Sequence, residues 1–300
     1  MTSKTTVLIT GCSPGGIGHA LAIEFHNRGC HVIATARRPS VLQDLGDMGM
    51  STVQLDVTDQ ASVDACKEEA AKITGGRLDI LVNNAGRTHI MPALDLDLDD
   101  VKATFDANLF GMMRMCKAFS SLLIPARGLI VNESSMSCAS SAPFFSAYIS
   151  SKMAVEAYAR CLRVELRPLD VRVMVVVVGS IKSEIYNRPG ARRDLPPDSL
   201  YRPALDIFHR TQDPYSLGRW TQTDVFAARF VTAALRGQGW LGGWVGGSPE
   251  WLREGAYAGA SRLAMGLPWC FSEAATAFIF HTGRMSRLIR EAALAKQKTA

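Results

Sequence analysis

The stretch Thr5-Thr-Val-Leu-Ile-Thr-Gly-Cys-Ser-Pro-Gly-Gly-Ile-Gly18 decides the fold of this 300-residue chain. Its first six residues are a short β-branched, apolar run, which is typical of a strand buried in a parallel sheet. Glycines follow at once, and a helical pattern of apolar residues begins at Ile17. Glycines here let the backbone approach a pyrophosphate, and the helix N-terminus offers it free N–H groups. The stretch therefore predicts a dinucleotide-binding loop; the alternative is a glycine-rich turn without a ligand.

Strand and helix patterns alternate along the rest of the chain. This alternation predicts a doubly wound parallel sheet in one domain, residues 1–250, followed by a C-terminal helical extension over residues 251–300. The further strands that we predict are His31–Ala36, Val53–Val57, Leu78–Val82, Gly128–Asn132 and Val171–Val178. A last strand is expected within 237–247, a segment that carries Trp240 and Trp244.

A second stretch, Tyr148-Ile-Ser-Ser-Lys152, carries the chemistry. Apolar residues at helical spacing follow it, so the tyrosine and the lysine, four residues apart, lie on one face of a helix. A nearby ammonium favours the phenolate and lowers the pKa of a phenol, which is otherwise near ~10. The pair therefore predicts a general acid; the alternative is an exposed helical pair without a role.

The second predicted strand ends at Arg37-Arg38 and has no acidic residue after it. Dinucleotide folds often place an acid near this point for the adenosine ribose, whereas arginine accommodates a 2′-phosphate. Two guanidiniums can hold a phosphate by charge-assisted hydrogen bonds. We therefore predict NADPH rather than NADH as the cofactor; the alternative is a solvated basic loop.

The composition excludes several other classes of protein. The net charge of +5 is too small to indicate a nucleic-acid partner, and no nucleic-acid-binding motif is present. The seven cysteines are scattered and odd in number, which favours reduced thiols in the cytoplasm over a disulfide framework or a metal site. The N-terminus runs straight into a strand pattern, so we expect no secretory signal.

Together these motifs resemble the short-chain dehydrogenase/reductase family over residues 5–250. The motifs that carry the resemblance are Thr10-Gly11-x-x-x-Gly-x-x-Gly18, Asp56, Asn83-Asn84-Ala85-Gly86, Asn108, Ser135 and Tyr148-x-x-x-Lys152. The extra glycine in Gly15-Gly16-Ile17-Gly18 and the Val-Gly-Ser-Ile-Lys-Ser run at 178–183 resemble the fungal NADPH-dependent 1-acyldihydroxyacetone-phosphate reductase-like branch.

The resemblance implies a Rossmann fold, NADPH as cofactor and a role for each matched residue. Tyr148 would donate the proton, Lys152 would hold the nicotinamide ribose, and Asn108 would join a water-linked proton relay. Ser135 would orient the substrate carbonyl; it is preferred to Ser134 because thirteen residues separate it from Tyr148, the family's usual spacing. The implied cofactor-binding residues are Gly11, Ser13, Gly16, Ile17, Gly18, Arg37, Arg38, Asp56, Val57, Asn83, Tyr148, Lys152, Ile181 and Ser183.

Two departures from the family pattern bear on the substrate. The first glycine loop is one residue longer than the common form, and Val178-Gly179 stands where the family has Pro-Gly. Residues 181–219, rich in proline and charge, are expected to be irregular and to cover the substrate.

The C-terminal extension has several interpretations. No uncharged run within 255–283 reaches the ~18 residues of a spanning helix. Residues 284–294 predict a basic amphipathic helix, which suits peripheral contact with a membrane through residues 255–294. A pocket wall, a subunit contact and a solvated helix are the alternatives.

We therefore expect an NADPH-dependent reduction of a ketone to a secondary alcohol. The substrate would be a lipid-like ketone, such as an acyl-dihydroxyacetone phosphate, or a ketone of secondary metabolism. The alternative is a non-catalytic NADPH-binding regulator with the same fold. The family resemblance suggests a homo-oligomer, and the expected location is the cytoplasm, or the surface of an endomembrane or lipid droplet.

Overall fold

A parallel sheet of seven strands organises the described part of the chain. The computed structural model describes residues 4–187, 191–213, 216, 218–239, 246–266 and 269–299. The strands are β1 (Thr6–Ile9), β2 (His31–Ala36), β3 (Ser51–Gln54), β4 (Ile80–Asn83), β5 (Leu129–Ser135), β6 (Arg172–Val178) and β7 (Trp251–Glu254). They are ordered β3-β2-β1-β4-β5-β6-β7, and every neighbouring pair is parallel. This is the predicted doubly wound Rossmann-type sheet, with its switch point between β1 and β4, where ligands bind in such sheets.

Helices cover both faces of the sheet. They are α1 (Ile17–Asn27), α2 (Gln43–Asp47), α3 (Gln60–Thr74), α4 (Leu98–Phe105), α5 (Gly111–Ala126), α6 (Ser146–Leu166), α7 (Leu205–Thr211), α8 (Thr223–Ala234), α9 (Ala258–Gly266), α10 (Trp269–Ile279) and α11 (Thr282–Thr299). Successive strand residues point to opposite faces, so Val7 packs with α1 and α8, whereas Leu8 packs with α3, α5 and α6. Both faces are therefore buried, as a parallel sheet requires.

Several predicted boundaries were wrong. The seventh strand is β7, which lies in the segment that we assigned to the extension and pairs with β6. The last strand was predicted within 237–247, and residues 240–245 of that segment lie outside the described residues. The segment also carries six glycines, which weaken a strand. β3 ends at Gln54, and β5 continues to Ser135 because its last three residues pair with β6. The segment 181–219 is not wholly irregular, since it contains α7.

A smaller apolar cluster lies apart from the two faces of the sheet. Ile90, Phe144 and Phe208 are its buried centre, and Tyr201 and Met285 pack against it. It joins the segment after β4, the residues before α6, the segment 191–211 and α11. We call this assembly the roof, because it packs beside the N-terminal end of α6, where Tyr148 lies.

Candidate active site

The glycine loop between β1 and α1 forms a tight cradle. Gly11 and Gly15 adopt φ angles of +77° and +71°, which favour glycine. A Cβ atom on Gly18 would lie 2.5 Å from the Asn84 side-chain nitrogen and 2.7 Å from the Gly11 carbonyl oxygen. No side chain larger than hydrogen fits there without displacing backbone. Gly16 is the N-cap residue of α1, so the cradle ends on a helix N-terminus.

Asn84 holds this cradle, a role that the sequence analysis did not assign. Its amide nitrogen donates to the carbonyl oxygens of Thr10, at 2.5 Å, and Gly11, at 3.1 Å. Its backbone N–H donates in turn to the Thr10 hydroxyl at 3.0 Å. The Asn83 amide instead donates to Asn132 Oδ1 at 2.8 Å inside the sheet. A cofactor contact for Asn83 stays a prediction, since its side chain is turned inward.

The polar residues at the ends of β2 and β3 differ in how they are held. Arg37 and Arg38 are exposed, and neither has an ion-pair partner within the described ranges. The Asp56 carboxylate accepts from the Thr58 N–H at 3.0 Å and the Thr58 hydroxyl at 2.7 Å, which fixes the turn before α3. Val57 is buried, and its side chain leaves no room for a Cβ on Gly111.

The N-terminal turns of α6 place Tyr148 and Lys152 over the end of β5. Tyr148 is half-buried, and its ring meets that of Phe145 edge-on, with centroids 6.4 Å apart. Lys152 is 7% exposed, and its Nζ donates to the Glu133 carbonyl oxygen at 2.9 Å. The ammonium therefore lies on the strand that carries Ser135, two residues further along.

The two serines at the end of β5 have different environments. Ser134 is 2% exposed and donates at 2.6 Å to Glu156 Oε1, on α6. Ser135 is half-buried, and its Oγ accepts from the hydroxyl of Ser137 at 2.8 Å. The Ser135 proton has no acceptor among the described residues, so it can be donated to a ligand. This difference favours Ser135, which the spacing to Tyr148 also favours.

Asn108 lies in a π-helical turn, Asp106–Phe110, between α4 and α5. Its Oδ1 accepts from the Arg87 N–H at 2.8 Å, and its Nδ2 donates to Ser151 Oγ at 2.9 Å. The side chain thus ties the segment after β4 to α6, beside Lys152. π-Helical turns inside helices are frequent at functional sites. The predicted part in a proton relay stays a prediction.

Residues 181–184 pack between the core and the glycine loop. Ile181 is buried beside Gly255, and Ser183 is 6% exposed. The Glu184 N–H donates to the Gly15 carbonyl oxygen at 3.1 Å. The structure therefore brings this segment to the loop, although Ile181 is turned into the core.

Lys152 donates to the backbone of a buried acidic residue, Glu133, which the sequence analysis did not single out. Burial raises the pKa of Glu133 to about 7, and the charge of Lys152 opposes that rise. Burial also lowers the pKa of Lys152, and the charge of Glu133 opposes that fall. An acid directly after a predicted buried strand was the available sequence signal.

An ionic cluster joins three parts of the chain around the roof: the segment after β4, α4 and the segment 191–211. Asp100 accepts from Arg87 at 2.7 Å and forms a second short ion pair with Arg193. Burial alone would raise the pKa of Asp100, but the Arg193 hydrogen bond and the two guanidinium charges hold it below its usual range. His89, 1% exposed, lies 3.8 Å from the same carboxylate.

A cavity of about 260 Å³ lies between the roof and the start of α6. Its lining is mostly apolar and consists of Pro92, Ala93, Ala142, Pro143, Phe144, Ser146, Tyr201 and Met285. Ser146 begins α6, two residues before Tyr148. Met285 comes from α11, so the C-terminal extension supplies part of the cavity wall.

A doubly wound sheet with a glycine cradle at its switch point, and a tyrosine–lysine pair beside it, defines the class of nucleotide-dependent oxidoreductases. A family model described as short chain dehydrogenase matches residues 5–193. The chain belongs to this family of oxidoreductases, as its motifs predicted.

Relatives and a solved structure agree with this assignment. The NADPH-dependent 1-acyldihydroxyacetone phosphate reductase of Schizosaccharomyces pombe is 38% identical over 272 residues, covering 89% of this chain and 91% of that protein. A short-chain dehydrogenase of Penicillium crustosum is 42% identical over 238 residues, covering 79% of this chain and 86% of that one. The structure of a short-chain dehydrogenase from Streptomyces avermitilis matches with a TM-score of 0.73 and 25% identity, covering 100% of this chain and 98% of that one.

Proposed function

We propose that this protein reduces a ketone to a secondary alcohol, with NADPH as the hydride donor. The observation that carries the proposal is the position of the Lys152 ammonium, 2.9 Å from the β5 backbone and one helical turn from Tyr148. Ser135, with a proton available to donate, ends the same strand. An acid, a cation and a hydrogen-bond donor are thus carried by α6 and by the end of β5, the strand next to the β1–β4 switch point.

The residues present fit the cofactor. The glycine cradle and the N-terminus of α1 suit a pyrophosphate, and the two exposed arginines after β2 suit a 2′-phosphate. The S. pombe relative is itself named as NADPH-dependent. When bound, the nicotinamide supplies the hydride, and the protein contributes position and a proton.

The chain's own residues would handle the charge that develops on the substrate oxygen. Ser135 would donate a hydrogen bond to that oxygen, and preplaced donors stabilise such charge more than water does. Tyr148 would deliver the proton. The nearby Lys152 ammonium favours the resulting phenolate, so it helps the proton to leave.

The cavity beside α6 indicates the kind of ketone. Its walls come mostly from proline, alanine, phenylalanine and methionine side chains, which offer an alkyl chain apolar contact but few hydrogen bonds. We therefore infer a ketone with an apolar arm. The name of the S. pombe relative, whose substrate carries an acyl group, supports the same class.

The test is NADPH oxidation by the purified protein with decan-2-one, followed by absorbance, for wild type and Tyr148→Phe. We expect the substitution to lower kcat by roughly 10²- to 10⁴-fold, the range of general acid catalysis, with NADPH affinity nearly unchanged. Tyr158→Phe is the matched control, because it makes the same change on α6 at a half-buried residue that packs against the core of the sheet. That control should keep wild-type turnover.

Two results would count against the proposal. Full turnover by Tyr148→Phe would remove the assigned acid. NADPH binding without turnover by wild type, across short and long methyl ketones, would favour the non-catalytic regulator instead.

Contact with a membrane stays a separate proposal. No helix within the described residues is long and apolar enough to cross a bilayer. Leu263, Phe271 and Phe278 on α9 and α10 are 74%, 60% and 85% exposed. These exposed apolar side chains support the proposal of peripheral membrane contact through 255–294. Met285 of α11 does not support it, because its side chain lines the cavity. Vesicle co-sedimentation of the full chain and of Phe271→Ser/Phe278→Ser would test it. The oligomeric state and the location in the cell remain predictions.

A further inference from the structure

The residues 191–212, which we call the cover segment, are closed into one body by a single side chain. The amide nitrogen of Gln212 donates to the Arg193 carbonyl oxygen at 2.8 Å, and its Oε1 accepts from the Arg193 N–H at 2.7 Å. Gln212 is buried, so these bonds are shielded from water. The start and the end of the cover segment are therefore held together, and α7 lies within it.

The cover segment forms part of the cavity wall beside α6. It supplies Tyr201 to that wall, and the Phe144 ring meets the rings of Tyr201 and Phe208 edge-on, with centroids 5.8 and 5.4 Å apart. Phe144 has a φ angle of +72°, which is costly for a bulky residue, and its carbonyl oxygen accepts from the Met91 N–H at 2.8 Å. The position of the cover segment therefore decides how the cavity is enclosed.

An ion pair holds the start of the cover segment to α4. The Arg193 guanidinium pairs closely with one oxygen of Asp100, and Arg87 binds the other oxygen at 2.7 Å. The side chains of Arg193 and Asp100 are 19% and 21% exposed, so solvent screens this pair less than a surface pair. Arg87 directly follows Gly86, and its N–H donates to Asn108 Oδ1. One carboxylate thus joins the cover segment to the edge of the candidate site.

His89 lies beside this ion pair and is uncharged near neutral pH. The Thr104 hydroxyl donates to the Asp100 carbonyl oxygen at 3.0 Å, so it accepts from His89 Nδ1, which is 2.8 Å away. The unprotonated Nε2 then faces the Asp100 carboxylate at 3.8 Å. Burial and the charge of Arg193 lower the pKa of His89, which favours this neutral ring. The Asp100 carboxylate is therefore balanced by guanidiniums, and Arg193 is the one that the cover segment provides.

A second polar contact attaches the cover segment six residues further along. The Ser199 hydroxyl donates to Asp95 Oδ2 at 2.5 Å and accepts from the Tyr201 N–H at 3.1 Å. A third contact, between Asp206 and Arg284 of α11, is 2.7 Å long, but both side chains are about half exposed. Exposed ion pairs contribute little, so the first two contacts matter most.

We propose that Asp100 and Asp95 are positioning residues that hold the cover segment against the cavity and so keep the apolar arm of the substrate enclosed. The inference rests on the proposed function and deepens it by naming what keeps the substrate wall in place. Asp100 acts through Arg193, and Asp95 acts through Ser199, which holds the backbone of the wall residue Tyr201.

The expected kinetic effect follows from the population of the enclosed form. A ligand that binds one conformation has an apparent affinity reduced by the fraction of molecules in that conformation. Breaking a contact of the cover segment lowers this fraction and raises KM. Saturating substrate restores the enclosed form, so kcat is retained. The NADPH dissociation constant should not change, because none of these contacts involves the glycine loop.

The experiment measures kcat and KM for decan-2-one with wild type and Arg193→Met. This variant leaves the Arg87–Asp100 pair in place and removes only the link to the cover segment. We expect KM to rise about tenfold, as it would if about one molecule in ten stayed enclosed, with kcat within about twofold of wild type. Arg193→Lys keeps the charge but not the planar fork, so its KM should rise only about threefold.

A double variant tests whether Asp100 and Arg193 act as one unit. Asp100→Asn/Arg193→Met should raise KM no more than Asp100→Asn alone, because both substitutions remove the same contact. A KM effect equal to the product of the two single effects would overturn the assigned pairing.

Two matched controls come from the same elements. Arg202→Met removes an ion pair that lies wholly inside the cover segment, with Asp194 at 3.6 Å. Asp99→Asn changes the neighbour of Asp100 on α4, whose side chain is 86% exposed and pairs with Lys102. Both controls should keep the wild-type KM. An equal rise of KM in Arg202→Met would overturn the proposal, as would a loss of kcat without a rise of KM in Arg193→Met.

Hydrogen exchange gives a readout that needs no turnover. A helix as short as α7 is unstable without its packing, so loosening the cover segment should speed the exchange of its amides about tenfold in Arg193→Met. The amides of β5 should exchange as in wild type. Unchanged exchange of α7 in Arg193→Met would overturn the proposal. Absence of ketone reduction by wild type would refute the proposed function alone, because exchange would still show whether the ion pair holds the cover segment.

Discussion

Two parts of the candidate site are built by different kinds of contact: the strand ends with the glycine loop, which we call the floor, and the roof. The floor consists of strand ends and the glycine loop, where the Asn84 side chain donates to the backbone carbonyl oxygens of Thr10 and Gly11 at 2.5 and 3.1 Å and Gly18 leaves no room for a Cβ. The roof consists of side chains, with Phe144, Phe208 and Met285 packed together. A loop held this closely tolerates almost no added side-chain volume. A packed apolar cluster, in contrast, tolerates substitutions that keep its total volume. We therefore expect the floor to fix the class of reaction and the roof to select the substrate.

The largest effect should come from the floor. Gly18→Ala would press a methyl group against the Asn84 amide and the Gly11 carbonyl oxygen, at 2.5 and 2.7 Å. Since the second contact is with backbone, the loop must shift. We expect the free energy of unfolding to fall by about 1–3 kcal/mol and NADPH affinity to fall by roughly 100-fold. Thermal unfolding and NADPH fluorescence measure the two effects.

Gly259→Ala is the control for that change, because Gly259 is an exposed position on α9 where a Cβ would meet nothing within 4 Å. A helical glycine costs about 0.5–1 kcal/mol relative to alanine, so this variant should be as stable as wild type or more so. If Gly18→Ala retained wild-type NADPH affinity, the floor would be as adaptable as the roof, and the contrast between them would fail.

A smaller effect is expected at the edge of the floor, where Arg37 and Arg38 extend into solvent. The double variant Arg37→Ala/Arg38→Ala should raise the NADPH dissociation constant roughly 10- to 100-fold, because a hydrogen bond to a charged group contributes about 1.5–3 kcal/mol. NADH affinity should be unchanged, since NADH lacks the 2′-phosphate. Calorimetric titration with both nucleotides measures the ratio.

The control for the arginines is Arg160→Ala, an exposed arginine on α6. It should leave both affinities unchanged. Equal losses of NADPH and NADH affinity in the double variant would mean that the arginines stabilise the loop rather than select the phosphate.

The glycine loop, and the placing of Tyr148 and Lys152 on one helix face, could be predicted because their requirements are local. A tight turn needs glycine, and a cation one helical turn from a phenol needs only residue spacing. The Rossmann-type sheet and the family followed from these local patterns. Asn84 was missed because either residue of an Asn-Asn pair could face the loop. Which one does so depends on strand register, since neighbouring side chains point to opposite faces.

The roof and β7 were predicted less well because distant residues decide them. Trp251–Glu254 is a strand because it pairs with the edge of β6, which no local pattern shows. The tryptophans of the glycine-rich run 237–247 gave the stronger apolar pattern, so the last strand was predicted there. In the cluster of Arg87, Asp100 and Arg193, the Asp100–Arg193 contact joins residues 93 positions apart, so no short motif shows it.

The smallest expected effect tests the roof itself. Met285→Ala removes part of the cavity wall, and the lost contact with an alkyl chain is worth about 1 kcal/mol, because a buried methylene contributes about 0.8 kcal/mol. We expect kcat/KM for decan-2-one to fall about fivefold, while that for butan-2-one, too short to reach the wall, changes less than about twofold. Leu294→Ala, an exposed position on the same helix, should change neither value. Equal losses for both ketones would show that α11 supports the catalytic helix as a whole, and the roof would then share the floor's role in catalysis instead of selecting the substrate.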